Sequence, residues 1–374
     1  MKRLVHDERP GWPQQVEALG LSFHSPEESP YWQEQAHYHF SKVEVDILEA
    51  ATENLQRMAI QAAERAIREN WRERLCIPEA AWREVIASWE RDDLSLYGRF
   101  DLLWDGSGSP KLLEYNADTP TSLLEAAVIQ WHWLQDRFPQ DDQFNSIHEK
   151  LLESWSAWPQ QVVHFAAQKE AEEDWRNLLY LEDTCRQAGK TTKNLAIESL
   201  GWSGDTETWM DEDESPVEGI FKLYPWEWMW QEAFSHHLSG HTQTFIEPVW
   251  KMLWSTKAFL VLMWETFPDH PNLLPASFQA SAVGSEYAVK ALHGREGANV
   301  ALVHRGKVLQ YVDGPWNEQP KVYQKLHPEV SFDGWHPVLG SWIIGGEAAG
   351  LGIREDSNRI TTNRSRFVPH RFSH

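Results

Sequence analysis

Arg99-Phe100-Asp101-Leu102-Leu103-Trp104, then Asp105-Gly106-Ser107-Gly108-Ser109-Pro110, then Lys111-Leu112-Leu113-Glu114-Tyr115-Asn116 is the stretch whose reading decides the fold. The outer segments suit strands and the middle is turn-forming, so the stretch predicts an antiparallel hairpin with a six-residue loop. With a symmetric loop, Trp104 pairs with Lys111, Asp101 faces Glu114 and Arg99 faces Asn116. Alternation then gathers those last four polar side chains on one face, while Phe100, Leu102, Leu113 and Tyr115 point the other way. Facing strands are about 4.8 Å apart and alternate residues about 7 Å apart, so such a face can share one or two cations. Two carboxylates and an amide, with no cysteine or histidine beside them, favour Mg²⁺ over zinc. Magnesium leaves coordination sites for water and phosphate oxygens, which suits a nucleotide. The same pattern also suits a solvated sheet face with a rim salt bridge.

Working outward, the chain reads as helical from Tyr31 to about Ser88, with Ile47, Leu48, Ala51 and Leu55 at three- and four-residue steps. Pro78 starts a second helix at its first turn. Beyond the hairpin, Thr121 or Ser122 caps a helix through Leu123 to Ala127. The middle third changes character. Val162–Ala167, Asn194–Glu198 and Val217–Phe221 read as short buried strands, the first two separated by a helix from Leu178 to Gln187 that ends at Gly189. That order predicts a small parallel α/β lobe. Asp211 to Pro216 reads as a solvated acidic loop before the last of these strands. After Ile246 one helix carrying Lys251 and Lys257 is expected to run to Phe267. A strand Tyr287–Leu292, a loop His293–Asn299, a strand Val300–Val303 and a hairpin from Ser341 to Asp356 follow. Neither an internal repeat nor a low-complexity segment is present.

At 374 residues and 43.5 kDa the chain exceeds one ordinary core and implies two lobes or more. Hydrophobic residues at 41% and charged residues at 24% are the composition of a soluble enzyme, not of a disordered chain. A net charge of −22 repels nucleic-acid backbones and anionic membranes, yet permits an anionic ligand in a locally basic pocket. Two cysteines, Cys76 and Cys185, build neither a disulfide framework nor a thiolate zinc site, which fits a reducing compartment. The amino terminus lacks the apolar run of a signal peptide, and Ala258–Trp264 is too short to cross a bilayer. A cytoplasmic protein is the expectation. The 22 tryptophans invite a reading as stacking platforms for sugars or bases, but Trp71, Trp82, Trp89, Trp250, Trp254 and Trp264 fall among helix formers, where such rings wedge helices together.

Two further constellations bear on chemistry. Lys290 precedes Gly294-Arg295-Glu296-Gly297, where glycines admit phosphates to the backbone and cationic side chains neutralise them. This is neither a P-loop nor a dinucleotide-binding glycine run, and a plain hairpin loop has the same look. Gly350-Leu351-Gly352-Ile353-Arg354 leads into a terminal stretch holding Arg359, Arg364, Arg366 and Arg371. Such a basic end on an acidic chain calls for an anionic partner or a salt-bridged surface. His236, His237 and His241 offer helical spacing for a metal, but no neighbouring carboxylate, and read better as surface histidines. Cys185 has nothing beside it to activate a thiolate.

Taken together, Tyr97–Asp101, Leu113-Glu114-Tyr115-Asn116-Ala117-Asp118-Thr119-Pro120-Thr121-Ser122, the Lys290 loop and Gly350–Arg354 resemble the synthetase domain of the glutathionylspermidine synthase family. The resemblance runs from about Arg9 to His370. It implies an α+β fold of ATP-grasp type, with residues 1–160 and 244–374 forming the ATP-grasp-like regions and 161–243 an inserted parallel α/β domain for substrate. It further implies a C–N ligase that transfers the γ-phosphate of MgATP to a carboxylate, in that family the glycine carboxylate of glutathione, so that an amine attacks the acyl phosphate.

Carried over by motif, Asp101, Glu114 and Asn116 would hold Mg²⁺, and Arg99 would be catalytic beside the transferring phosphate. Lys257, in preference to Lys251, would contact ATP together with Lys290, Gln324 and the closing loop of Arg295, Glu296 and Gly297. Thr119, Thr121 and Arg354 would meet the glutathione-like acid. Glu172 and Glu173, with Asp174, would offer an acidic patch to the amine. Two departures from the family stand out: an amidase domain with its cysteine nucleophile is not in this chain, so no amidase activity is expected, and Arg366 falls near an acidic position associated with spermidine, so spermidine is expected to be a poor substrate. A MgATP-binding protein without turnover and a tryptophan-rich carbohydrate-binding module are the competing readings. The oligomeric state is open.

Overall fold

The computed structural model describes residues 1–26, 30–240 and 243–373, and of Glu172 only the backbone. The hairpin is formed by the strands Tyr97–Leu103 and Lys111–Asn116, and Arg99 pairs with Asn116 and Asp101 with Glu114, as alternation predicts. The Trp104–Lys111 pairing does not occur. A bulge after Asp101 sets Leu102 against Leu112 and Leu103 against Lys111. Leu113 is the extra residue, so it turns to the polar face and Leu112 takes the buried place expected for it. Trp104 leaves the strand because its buried indole donates to the carbonyls of Ser107 (2.9 Å) and Gly108 (3.2 Å), tying down the loop. On the apolar face Phe100 and Tyr115 stack with centroids 3.8 Å apart, a contact worth about 0.5–1.5 kcal/mol beyond the area it buries.

This hairpin is one edge of a five-stranded antiparallel sheet, ordered Arg366–Val368, Glu347–Asp356, His336–Ile344, Tyr97–Leu103, Lys111–Asn116. The hairpin expected between Ser341 and Asp356 therefore lies beside the first one, joining the two ends of the chain. Helix Lys42–Arg68 covers the sheet, and the hydroxyls of Thr52 and Ser341 bond across that interface at 2.6 Å. Its start is a capping box in which Ser41 and Glu44 satisfy each other's backbone N–H groups. Leu48, Ala51 and Leu55 face the core, whereas Ile47 is exposed.

The helical expectation from Tyr31 fails for Ala36–Ser41, which is a strand between Lys2–Val5 and the C-terminal His370–Ser373. Those partners lie far away in sequence, so local periodicity does not report the pairing. Pro78 precedes helix Glu79–Glu90, one residue outside the first turn. Neither Thr121 nor Ser122 caps the next helix with its side chain. Ser122 adopts a left-handed backbone and its hydroxyl bonds the Tyr31 hydroxyl at 3.1 Å, while the amide of Asn177 takes over as acceptor for the Leu123 N–H at 3.1 Å. Glu125–Ile129 then run as a π-helical turn.

The middle third is the expected parallel sheet, in the order Thr244–Ile246, Gly219–Leu223, Val162–Ala167, Thr191–Ala196. Its second strand in sequence ends at Ala196, a short 3₁₀ turn taking Ile197–Ser199, and its helix starts earlier than expected, at Glu172. The acidic stretch is only partly solvated. Asp211 is buried, accepting from Lys193 Nζ (2.7 Å) and from the backbone N–H of Ser215 (2.8 Å). Lys251 and Lys257 do not share a helix: Val249–Leu253 is a 3₁₀ turn, and the α-helix is Ala258–Thr266, with Lys257 at its N-terminal boundary. A second five-stranded antiparallel sheet, Ala276–Ser277, Lys321–Lys325, Glu286–Ala291, Ala301–His304, Lys307–Tyr311, carries the Lys290 loop between its third and fourth strands.

Most of the tryptophans read as helix wedges do lie in or against the core. Trp104, Trp133, Trp155, Trp226, Trp254 and Trp342 are fully buried, Trp71, Trp82 and Trp250 nearly so, and Trp89 and Trp264 pack against the same core. Among the described residues no helix is long and apolar enough to cross a membrane. His237 lies on a short 3₁₀ turn, where it stacks on Trp202 at 4.2 Å. His241, read with it as a surface histidine, is outside the described residues.

Candidate active site

The two five-stranded sheets and the C-terminal ends of the inner strands of the parallel sheet enclose a cleft of about 380 Å³. The hairpin supplies one wall with Arg99, Asp101, Glu114 and Asn116, all on the face that alternation assigns them. The second sheet supplies the facing wall with Lys290 and Gln324, and the glycine loop brings Arg295, Glu296 and Gly297 over the mouth. Thr119, Thr121 and Arg354 line the far end, with Lys257 entering from the start of its helix.

Local hydrogen bonds hold these groups in place. The Arg99 guanidinium donates to both Asp101 oxygens (2.6 and 3.1 Å) and to the carbonyl of Thr121 (2.6 Å). Asn116 Nδ2 donates to Asp101 Oδ2 at 2.9 Å. Gly340 forms the floor beneath Arg99, where any Cβ would come within 2.7 Å of Arg99 Cδ. Lys290 Nζ donates to the carbonyl of Leu113 (2.7 Å) and to Gln324 Oε1 (2.8 Å), and Gln324 Nε2 returns to the carbonyl of Leu112 at 2.9 Å. Gln324 thus bridges the two sheets as well as orienting the lysine. Lys257 Nζ pairs with Glu114 and donates to the carbonyl of Gly294 at 2.9 Å, anchoring the glycine loop.

Lys251 has a different place. It is buried against Glu247 at 3.3 Å and donates to the carbonyls of Tyr97 and Ala117, outside the cleft. Of the two lysines only Lys257 reaches the site.

The electrostatics follow from this packing. Burial pulls the Lys290 ammonium down to about 8, Glu114 working against the shift and Lys257 with it. Burial alone would raise the Glu114 carboxyl, but Lys257, Lys290 and Arg99 together hold it below its ordinary value. Asp174 lines the cleft, and burial together with neighbouring Glu173 pushes its carboxyl up to about 6. Glu173 itself is exposed and does not line the cleft. The side chain of Glu172 is outside the described part of the molecule.

Arg354 donates through Nη2 to the carbonyls of Thr362 (2.6 Å) and Ser365 (3.2 Å). Its buried Nε has no hydrogen-bond partner among the described residues, and the side chain lines the cleft. The other terminal arginines divide. Arg359 lines the cleft, but Arg366 and Arg371 serve ion pairs that are largely buried, with Glu355 at 3.2 Å and with Asp141. Arg366 also lies 3.5 Å over the Trp335 ring and is absent from the cleft wall, so the expected repulsion of an amine by Arg366 has no structural basis.

Among the described residues no group of three or more histidine, cysteine, aspartate or glutamate side chains is arranged to hold a metal ion by itself. Asp101, Glu114 and Asn116 present two carboxylates and an amide on one sheet face, and the hard, oxygen-only set is the one Mg²⁺ takes when phosphate and water complete its shell. The loop is built for close approach as well. Gly297 has φ +71°, and a Cβ there would lie 2.3 Å from the carbonyl oxygen of Thr361.

Sequence reasoning missed Glu227 and Trp228, which face Arg295 across the cleft, and gave no role to His293, which also lines it. Trp228 was one tryptophan among many. Only the return of the chain after the parallel strand Gly219–Leu223 brings it to the site.

Comparison with known proteins places the chain in a family. A family model described as "Glutathionylspermidine synthase preATP-grasp" matches residues 3–373. A Haemophilus influenzae protein, provisionally named an acid–amine ligase, is 38% identical over 392 aligned positions covering 100% of both chains. The bifunctional glutathionylspermidine synthetase/amidase of Escherichia coli is 28% identical over 356 positions, 85% of this chain and 56% of that one, so the chain spans little more than half of the longer enzyme. A solved glutathione synthetase-like effector from Globodera pallida has the same overall fold, with a TM-score of 0.56, 11% identity and 98% of each chain covered. The chain belongs to the glutathionylspermidine synthase family and is an enzyme of the ATP-dependent carbon–nitrogen ligase kind.

Proposed function

We propose that the chain joins a peptide carboxylate, glutathione or a close analogue, to an amine through an acyl phosphate, using ATP and Mg²⁺ in a site of ATP-grasp type. The observation that carries this reading is the opposition, within one cleft, of an oxygen-donor wall (Asp101, Glu114, Asn116) to a cationic wall (Lys257, Lys290), with Arg99 and Arg354 beyond them. A carboxylate and a triphosphate repel one another, and such a site supplies the charge that lets them meet.

Magnesium bound by Asp101, Glu114 and Asn116 would neutralise phosphate charge and polarise the γ-phosphoryl group. Lys257 and Lys290 hold the polyphosphate, Gln324 keeps Lys290 aimed, and Arg99 stabilises charge on the phosphoryl group in flight. Arg354, with the hydroxyls of Thr119 and Thr121, orients the acid. One carboxylate oxygen attacks the γ-phosphorus and ADP leaves. The amine nitrogen then attacks the acyl carbon, phosphate departs with the former carboxylate oxygen, and the nitrogen gives up a proton. The chain's work is positioning and charge neutralisation. The loop of Arg295, Glu296 and Gly297 excludes water from the acyl phosphate.

In this reading residues 161–243 form the substrate-binding insertion between ATP-grasp-like regions 1–160 and 244–374. The unpaired Cys76 and Cys185 support a cytoplasmic setting.

The test is phosphate release from MgATP across a grid of thiol peptides and amines, with Lys290→Ala as blank. Release that requires one acid and one amine together, with the amide found by mass spectrometry, is the expected result. MgATP binding with no release from any pair would count for a nucleotide-binding protein that has lost turnover.

A further inference from the structure

Arg295 occupies a cage. Its Nη2 donates to Glu227 Oε1 at 2.6 Å, its Nη1 to the hydroxyl of Thr119 at 3.1 Å, and its guanidinium carbon stands 5.2 Å from the centroid of the Trp228 ring. Asp174 lines the same end of the cleft and interacts electrostatically with Arg295. Buried carboxylate, aromatic face and hydroxyl acceptor are the parts from which sites for organic cations are built. Here the cation is the chain's own.

Glu227 is only 9% exposed, and among its neighbours Arg295 is the group that balances its charge through a hydrogen bond. Arg295 stands on the glycine loop, and its buried Nε has no partner among the described residues. When the loop swings toward nucleotide phosphates, Glu227 is left as a buried carboxylate without its cation, a costly arrangement unless another cation replaces it. Trp228 then presents a free ring face beside it.

We infer that the cage of Glu227, Trp228 and Asp174 is the subsite for an ammonium group of the amine substrate, which Arg295 occupies here and vacates as its loop turns to the nucleotide. The inference rests on the ligase reading above and adds to it. The amine is a compound with at least one protonated nitrogen besides the one that reacts, since the caged nitrogen must keep its charge. Of the acidic patch Glu172, Glu173 and Asp174 that the sequence offered to the amine, it keeps Asp174 and leaves out the exposed Glu173.

Calorimetry with 1,4-diaminobutane, and with 1,4-butanediol as the uncharged control, tests the cage without nucleotide. Arg295→Gln empties it of charge, and that variant should bind the diamine about tenfold more tightly than the unaltered protein. Adding Trp228→Leu or Glu227→Gln should remove the gain, and the diol should bind to none of them. Equal diamine affinity in Arg295→Gln and in Arg295→Gln/Trp228→Leu, both folded by circular dichroism, overturns the inference, as does equal binding of the diol. Should Arg295→Gln not fold, the unaltered protein is titrated with diamine in the presence and absence of Mg²⁺ and adenylyl imidodiphosphate. The nucleotide analogue should strengthen diamine binding about tenfold, Trp228→Leu should abolish that gain, and an unchanged affinity overturns the inference. Loss of nucleotide binding itself would defeat the ligase reading instead, and a separate titration with MgATP alone reads that out.

Discussion

Asp101 and Glu114 stand directly opposite each other across the first hairpin, yet each is already held by a different cation, Asp101 by Arg99 and Glu114 by Lys257. The carboxylates of the site are therefore neutralised from within. Nucleotide phosphates compete with the carboxylates for Lys257, and a carboxylate so released is available to a metal. Metal and nucleotide are expected to strengthen each other's binding for that reason.

The double variant Asp101→Asn, Glu114→Gln tests this coupling. It keeps the shape while removing both charges and one of the two acceptor oxygens at each position. MgATP affinity should fall about tenfold or more, charged hydrogen bonds being worth about 1.5–3 kcal/mol each, and added Mg²⁺ should no longer improve ATP binding. Calorimetry in which the variant retains the full magnesium effect would place the metal elsewhere.

Lys290→Ala should fold normally and bind ATP at least about tenfold more weakly, since it removes one charged donor. The pH dependence carries a sign. Burial lowers the Lys290 ammonium to about 8, so in the empty protein it loses its proton as pH rises through that value. The unfolded chain keeps that proton up to the ordinary lysine range, so this group's unfavourable contribution to folding is largest below about 8 and fades as pH climbs. ATP affinity moves the opposite way, because phosphates need the ammonium, and it should weaken above about pH 8 in the unaltered protein but not in Lys290→Ala. Fluorescent-nucleotide titration at several pH values measures both.

Arg354→Ala should raise the concentration of acid needed for half-maximal rate and leave MgATP affinity within about twofold, the two ligands having separate anchors. Arg354→Lys should restore part of the effect only, because a lysine cannot hold the carbonyls of Thr362 and Ser365 and still present a planar donor face. Equal losses of nucleotide and acid binding would move Arg354 to the phosphate end.

A prediction on stability concerns His370. It is fully buried, its Nε2 accepts the N–H of Phe144 at 3.2 Å, and its ring is bonded through Nδ1 to Gln130 at 2.9 Å. Burial lowers it to about 3, so the folded protein keeps it neutral where the unfolded chain takes up a proton. Stability should then fall as pH drops from about 6.5 toward 3, at up to about 1.4 kcal/mol per pH unit from this group. His370→Gln should be less stable at pH 7 and show a shallower acid dependence in thermal melts. An unchanged slope would mean that other groups govern acid unfolding.

The sequence by itself determined the polar face of the hairpin, the parallel middle sheet and the strand-loop-strand around Lys290. Each is written in a local signal, either a side-chain alternation with period two or an apolar run bounded by turn residues, and neighbours in sequence enforce it. Even the bulge that spoiled the Trp104–Lys111 pairing left Arg99, Asp101, Glu114 and Asn116 together, because it lies on the loop side of all four.

What only the tertiary structure decided depends on partners far apart in the chain. Ala36–Ser41 is a strand because residues at the two termini flank it. Lys257 rather than Lys251 enters the cleft because Glu247 draws Lys251 inward and the chain turns between the two lysines. Arg366 is committed to Glu355, and Arg295 to Glu227 and Trp228, through contacts that span the cleft or the sheet. A side chain's charge is legible in sequence, but the partner that neutralises it is set by long-range packing, and on that choice rests which cations remain free for a substrate.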